Sequence, residues 1–195
     1  MMRIPWLKAV VLLVGLLGGC GSSPTARFYT LSPDATLTGV GTATPVSVVV
    51  NPVTVPELVD RPQIVTRVAG NQVSLDEFAR WAEPLKTDIA RVIAADIGQL
   101  LGSARVNVFD SGPNMAPAWR VRVDVMRFES APGDSVTIEA LWAVRPPGKA
   151  VAIAGRSVAR EVVHGLGYDA LVAAHDRALA AVSSDIATAI RASLP

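Results

Sequence analysis

Two consecutive runs near the middle of the chain leave little freedom in how it folds. From Trp119 the apolar residues Trp119, Val121, Val123 and Val125 alternate with Arg120, Arg122, Asp124 and Met126. After a short break, Val136, Ile138, Ala140, Trp142 and Val144 alternate with Ser135, Thr137, Glu139 and Leu141. A period of two residues places one set of side chains on a core and the other toward water, which predicts half-buried antiparallel strands. A third strand is predicted over roughly Ala150 to Val163.

The rest of the chain supplies what covers the apolar face. Leu85, Ile89, Val92, Ile93, Ile97, Leu100 and Leu101 recur at helical spacing, with Lys86, Asp88, Arg91 and Gln99 elsewhere, and Gly102 ends the run. A second amphipathic helix is predicted over Tyr168 to Ala192, its stripe formed by Leu171, Ala174, Ala178, Leu179, Val182, Ile186 and Ile190. Further strands are read at Phe28–Leu31, Val46–Val50 and Arg105–Phe109. Ile64–Val68 and Gln72–Ser74 form a hairpin turning at Gly70-Asn71. Ser74 with Glu77 three residues on has the form of a capping box, so a short helix through Trp81 is expected there. The order of elements predicts an α+β fold, an antiparallel-rich mixed sheet with two amphipathic helices packed on one face.

The first residues read differently. Arg3 and Lys8 precede an uninterrupted Ala/Val/Leu/Gly run from Ala9 to Leu17, then Gly18, Gly19 and Cys20. A charged start, a short apolar core and small residues are the layout of an export signal, too short for the ~20 apolar residues of a spanning helix. No A-x-A-like cleavage site is present. Leu17-Gly18-Gly19-Cys20 instead resembles the lipobox of bacterial lipoproteins, which implies cleavage before Cys20 and a covalent lipid on its sulfur. The expected organisation is a signal segment over 1–19, a lipidated Cys20 with a Ser/Pro/Thr tether over 20–27, and a folded domain over 28–195. Cleavage would leave 176 residues, enough for one domain with a real core. Gly21 stands where an aspartate would mark inner-membrane retention, so the resemblance implies the periplasmic face of the outer membrane.

Composition removes several function classes. The chain has 18 basic and 17 acidic side chains, and loss of Arg3 and Lys8 leaves 16 basic. A nearly neutral domain is not built to bind nucleic acid, which wants a strongly basic face. With a single cysteine, no intrachain disulfide is available, and the core alone must hold the fold.

The sequence carries no recognisable catalytic pattern. His164 and His175 lie in no His/Cys/Asp cluster at metal-ligand spacing and read as surface or boundary residues. Gly102-Ser103 and Gly155-Arg156-Ser157 do not make a nucleophile elbow, and Gly165-Leu166-Gly167 lacks the third glycine of a dinucleotide loop. Glu129 and Asp134 flank a turn and read as solvated. Arg120 and Arg122 share one strand face, with Arg127 on the other, and read either as a solvated face or as a dock for an acidic partner or lipid phosphates. Trp81, Trp119 and Trp142 fall in apolar registers, which favours core packing over a lipid pocket. No catalytic residue, metal site or cofactor is expected beyond the covalent lipid on Cys20.

The loop from Pro56 to Pro62, PELVDRP, is bracketed by prolines that forbid regular ladder pairing. Glu57, Leu58, Val59, Asp60 and Arg61 are the candidate partner or oligomer contact, because a restricted loop loses less entropy on binding. The alternative is that the loop folds back on its own sheet, with Leu58 capping the core.

Three stretches now carry a resemblance: F-Y-T-L-S-P from Phe28, V-T-V-P-E-L-V-D-R-P-Q-I-V-T-R from Val53, and L-D-E-F-A-R-W-A-E-P-L from Leu75. They resemble the ABC-type transport auxiliary lipoproteins, the PqiC/YmbA-like group, most densely from Val46 to Leu85. The resemblance implies a non-enzymatic accessory subunit of an MCE-type (Pqi/Mla-like) intermembrane lipid transport system. Its expected partners are an MCE-domain transport protein and the outer membrane, with a homo-oligomeric ring and no nucleic acid. The competing expectation is a periplasmic carrier that holds a lipid in its own cavity.

Overall fold

In the computed structural model, which describes residues 24–39, 43–44, 46–108 and 117–194, the alternating runs become long paired strands. The elements in chain order are β1 (Arg27–Tyr29), β2 (Val48–Val50), β3 (Gln63–Ala69), β4 (Gln72–Trp81), α1 (Leu85–Leu101) and β5 (Val106–Asn107). They continue with β6 (Trp119–Ala131), β7 (Ser135–Arg145), β8 (Ile153–Val162) and α2 (Gly167–Ala192). The strands divide into two mixed sheets, one ordered β1-β4-β3 and the other β5-β2-β6-β7-β8. Neighbours β3–β4, β6–β7 and β7–β8 are antiparallel, whereas β1–β4, β2–β5 and β2–β6 are parallel. The fold is α+β, as the order of elements predicts.

The inner face of the larger sheet is the predicted one. Val121, Val123, Ile138, Ala140 and Val144 are buried there, and α2 packs on β7 and β8 while α1 lies against α2, β2 and β5. Trp81, Trp119 and Trp142 are all core residues. Helix α1 stops at Gly102, whose left-handed φ of 62° lets the N–H groups of Gly102 and Ser103 bond back to Gln99 and Gly98 carbonyls. Trp142 sits opposite Gly155 in the β7–β8 register, and its indole lies where any larger residue would go: a Cβ at 155 would fall 2.2 Å from Trp142 Cζ2. The indole N–H donates to Ser157 Oγ at 2.9 Å, and that hydroxyl donates to Asp185 Oδ2 on α2 at 2.5 Å.

Three sequence expectations need correction. The segment from Ser74 to Trp81 is not a helix but most of β4, paired with β3 on one side and β1 on the other. The register jumps from Ile64 opposite Asp76 to Gln63 opposite Arg80, so residues 77–79 form an extra loop of strand. Asp76 accepts the Phe78 N–H at 2.8 Å there, a local side-chain bond that mimics the start of a helix. Asp88, read as lying off the apolar stripe of the helix, is fully buried. His175, read as a surface or boundary residue, is likewise fully buried.

Asp88 belongs to a device that holds the N-terminal segment on the helices. Leu31 N–H donates to Asp88 Oδ2 at 2.7 Å, Ser32 N–H to Asp176 Oδ1 at 2.9 Å, and Asp34 N–H to Asp96 Oδ1 at 3.2 Å. Asp96 also accepts from Ser183 of α2 at 3.1 Å, and Arg91 pairs with Asp88 and bonds the Leu31 carbonyl at 2.7 Å. Three helix carboxylates thus replace water for a strandless stretch of backbone, whose N–H groups need partners once buried. Burial pushes the Asp96 carboxyl up to about 7 and Asp176 up to about 6, with the neighbouring carboxylates Asp34 and Asp176 adding to the rise at Asp96 and Asp88 and Asp34 to that at Asp176.

Gly155→Ala is expected to destabilise the domain by about 1–3 kcal/mol in urea denaturation, the usual cost of overpacking a filled core. A raised carboxyl pKa means stability that is present in acid and is lost as pH rises through the folded value. The melting temperature is therefore expected to fall as pH is taken from about 5.5 to 8.5, through the titration of Asp176 and Asp96. Asp96→Asn, which keeps an oxygen for the Asp34 N–H without the charge, is expected to flatten that profile and raise the melting temperature at the alkaline end only.

Candidate functional site: the 56–62 loop

The predicted contact loop bridges Thr54, which pairs with Asp124 of β6, and the start of β3. It is tied down by its own backbone. The Pro56 carbonyl accepts from the Val59 and Asp60 N–H groups at 3.0 and 3.2 Å, and Arg61 N–H donates to the Val59 carbonyl at 2.8 Å. The Pro62 carbonyl accepts from Trp81 N–H at 2.7 Å, which fastens the loop to the end of β4. Pro56 and Pro62 have no N–H to satisfy and carry fixed φ angles, so the sequence suits this tight, non-ladder path.

The five candidate residues do not act as one exposed patch. Val59 is buried and caps the core, whereas Leu58 is 48% exposed. The sequence reading had offered Leu58 for capping; the turn at Pro56–Asp60 brings the next side chain inward instead. Glu57 is exposed and Arg61 is half-buried. Asp60 Oδ2 pairs with Lys86 Nζ of α1 at 3.2 Å, so part of its charge serves the domain itself.

The loop stands between two hollows. One, about 160 Å³, is lined by Leu58, Val59, Val65, Arg67, Met126 and Phe128, where the two sheets meet. Arg67 of β3 crosses its edge to Glu129 Oε2 of β6 at 2.5 Å, and Arg127 stands 3.8 Å from the same carboxylate. The Arg67 guanidinium holds the Glu129 carboxyl below its ordinary range. The other hollow, about 320 Å³, lies under Arg61 and is lined by Asp60, Pro62, Trp81, Glu83 and Pro84. Among the described residues, the Nε groups of Arg61 and Arg67 find no acceptor. A rigid apolar knob flanked by two hollows makes a surface suited to binding.

Other chemistry does not assemble. Among the described residues no three His, Cys, Asp or Glu side chains are grouped to hold a metal ion. His175 Nε2 lies 2.8 Å from Ser130 Oγ, a distance at which an imidazole can activate a hydroxyl. The ring, however, is stacked on Phe128 at 4.1 Å, edge-on to Trp81, and its Nδ1 has no partner to orient it. Burial pushes its pKa down to about 3. His175 is a neutral core residue. His164 is exposed, and Glu129 and Asp134 are occupied by Arg67 and Arg160. Cys20 lies outside the described residues, and among those described no helix is long and apolar enough to cross a membrane.

The Arg67–Glu129 bridge and the inward turn of Val59 escaped sequence reasoning. Each depends on which strand faces which across the gap between sheets, a relation no local spacing encodes.

Comparison with known proteins now gives these features a context. A crystal structure of an uncharacterized protein superposes with a TM-score of 0.67 at 22% identity, covering 86% of this chain and 99% of its own. A protein from Xanthomonas campestris superposes with a TM-score of 0.61 at 17% identity, over 83% of this chain and 92% of its own. At such identities the likeness speaks for the fold. No curated protein matches the sequence. The model of the ABC-type transport auxiliary lipoprotein component matches residues 29–187, from the last residue of β1 into the last turns of α2. Strands β2 to β8, helix α1, most of α2 and the proline-bracketed loop lie within that match, and the chain belongs to the ABC-type transport auxiliary lipoprotein family.

Proposed function

We propose that this protein is an outer-membrane-anchored periplasmic lipoprotein, an accessory subunit of an MCE-type intermembrane lipid transport system that docks the periplasm-spanning component. The observation that carries the docking role is the 56–62 loop, stapled at both ends and presenting Leu58 beside two hollows and two guanidinium groups. Leu58 is the apolar anchor, and Glu57 and Arg61 form a charged rim that sets orientation more than affinity.

Attachment comes from acyl chains on Cys20. Each buried CH₂ contributes about 0.8 kcal/mol, and two or more chains hold a protein stably at a bilayer. Residues 20–27 then act as a tether, and Leu31 to Asp34 are clamped to α1 and α2, so the domain stays near the membrane and meets its partner at high effective concentration. The role is passive: the subunit positions and receives, and energy enters elsewhere in the system. A carrier role finds less support, because the hollows beside the loop are small against the two acyl chains of a phospholipid and the helix stripes fill the space between helices and sheet.

Cys20→Ala is expected to abolish lipidation and shift the protein from the membrane to the soluble or unprocessed fraction; a variant processed and sedimenting with membranes like the wild type would refute the anchor. Leu58→Ser combined with Asp60→Lys is expected to leave the circular dichroism spectrum intact and weaken binding to the purified periplasmic part of the MCE-domain protein by ~10-fold or more, about 1.4 kcal/mol. Unchanged binding by the folded variant would remove the loop from the interface.

A further inference from the structure

The end of the domain at which the chain enters holds apolar side chains out in water. Leu166 is 94% exposed, the highest value for a large apolar residue among those described, and Phe28 and Phe78 are 65 and 43% exposed. Leu166 sits between two glycines at positive φ, 118° at Gly165 and 83° at Gly167, a backbone path that side-chain-bearing residues rarely adopt. The Gly165-Leu166-Gly167 turn thus presents its leucine outward just before α2 begins.

Contacts between distant parts of the chain bring these residues to one place. The Tyr168 ring, just after the turn, lies 5.6 Å from the Tyr29 ring, and its hydroxyl donates to Asp76 Oδ2 at 2.9 Å. Tyr29 follows Phe28 in β1, and Asp76 also accepts the Phe78 N–H. Arg27 and Phe28 stand opposite Ala79 and Arg80 in the parallel β1–β4 register, which sets Phe28 beside the Phe78 end of β4. The cluster combines an aliphatic tip, two exposed phenyl rings and two half-buried tyrosines. Such residues settle where water meets acyl chains.

The occupant follows from where the chain leaves the domain. The described residues begin at Pro24, and Cys20, the lipid site proposed above, stands seven residues before Arg27. Fully extended, that stretch spans at most about 25 Å. β1 itself is fixed by its pairing with β4 and by the clasp that follows it, so slack between lipid and domain is confined to those few residues. The β7–β8 turn stands farther off, since β8 alone runs about 30 Å from Val162 back to Ile153 at about 3.3 Å per residue. Arg27 and Arg80 stand near Asp76, Glu77 and Asp169, too little charge of one sign to hold an anionic leaflet, so apolar depth sets the contact. A bilayer is the surface that the anchor itself brings to this end.

We propose that the domain seats on the bilayer through Leu166, Phe28 and Phe78, which enter the headgroup region of the leaflet holding the Cys20 lipid. The proposal rests on the lipid anchor and adds an orientation to it, which a tether by itself leaves free.

The test uses the mature lipidated protein in vesicles of phosphatidylethanolamine and phosphatidylglycerol. The lipid occupies the single native thiol, so Leu166→Cys, Phe28→Cys or, as a control, Val151→Cys each offers one site for the polarity-sensitive NBD label. Labels at 166 and 28 are expected to be quenched about twofold or more by nitroxide-bearing phospholipid, as for side chains lying about 5–10 Å into the boundary, and the label at 151 to be unaffected. Leu166→Asp is expected to abolish most of the quenching at 28. Circular dichroism checks the fold of each variant, and if one labelled variant does not fold the other position carries the reading. An unquenched 166 or 28 label, equal quenching at 151, quenching at 28 indifferent to Leu166→Asp, or a blue-shifted label insensitive to nitroxide lipid, the mark of contact with another copy, each overturns the proposal. Intact mass and vesicle flotation judge the anchor separately. A protein without lipid on Cys20 removes anchor and seating together, whereas an anchored protein with water-exposed labels removes only the seating.

Discussion

Burial of one face of the β6–β7–β8 sheet under α2, with α1 behind it, is the contact on which the remaining architecture depends. The single cysteine rules out an intrachain disulfide, and no metal cluster occurs among the described residues, so apolar area removed from water must supply nearly all the favourable free energy. At about 25 cal/mol per Å² that term is large but non-directional. Direction comes from the pleat: a one-residue slip would turn Val121, Val123, Ile138 and Trp142 outward and Arg122 and Glu139 inward. The Trp142 indole over Gly155, bonded onward to Ser157 and Asp185, adds a lock that admits one register.

From that core two consequences run outward. The bulge at Met126 gives β6 a change of phase while keeping Phe128 and Ser130 on the buried side. It frees the far end of β6 to meet β3 through Arg67 and Glu129, which joins the small sheet to the large one and opens the hollow beside Leu58. The second consequence is at the helices. Their outer surfaces are not simply solvated but carry Asp88, Asp96 and Asp176, which bind the backbone of residues 31–34. With the proposed lipid anchor in place, this clasp would couple the N-terminal segment to the helix layer, because the segment is hydrogen-bonded to it and not merely adjacent.

For the proposed docking role, what matters is the shape and chemistry of surfaces. Among the described residues, the buried titratable groups Asp88, Asp96 and His175, with half-buried Asp176, serve packing and the clasp. The loop lies on a scaffold that keeps its residues in place, so binding there would cost little ordering. That is the property required of a subunit whose proposed task is to receive a larger partner.

The long elements were legible before any coordinates. Helix α1 runs from Leu85 to Leu101 as its periodicity and Gly102 require, and β6, β7, β8 and α2 lie where period two and period 3.6 place them. Those patterns are local consequences of an apolar face and survive any arrangement that buries it. What only the tertiary structure decided are the choices between equally good local answers. Ser74 to Trp81 carries a capping signature yet becomes β4, because pairing with β3 and β1 outweighs one side-chain bond. Val59 rather than Leu58 turns inward because Pro56 and Trp81 fix the path of the loop. Asp88 and His175 are buried because a segment far away in sequence needed hydrogen-bond acceptors and Phe128 needed a ring to stack on. Each depends on residues brought together from distant parts of the chain, and spacing along one stretch carries no record of them.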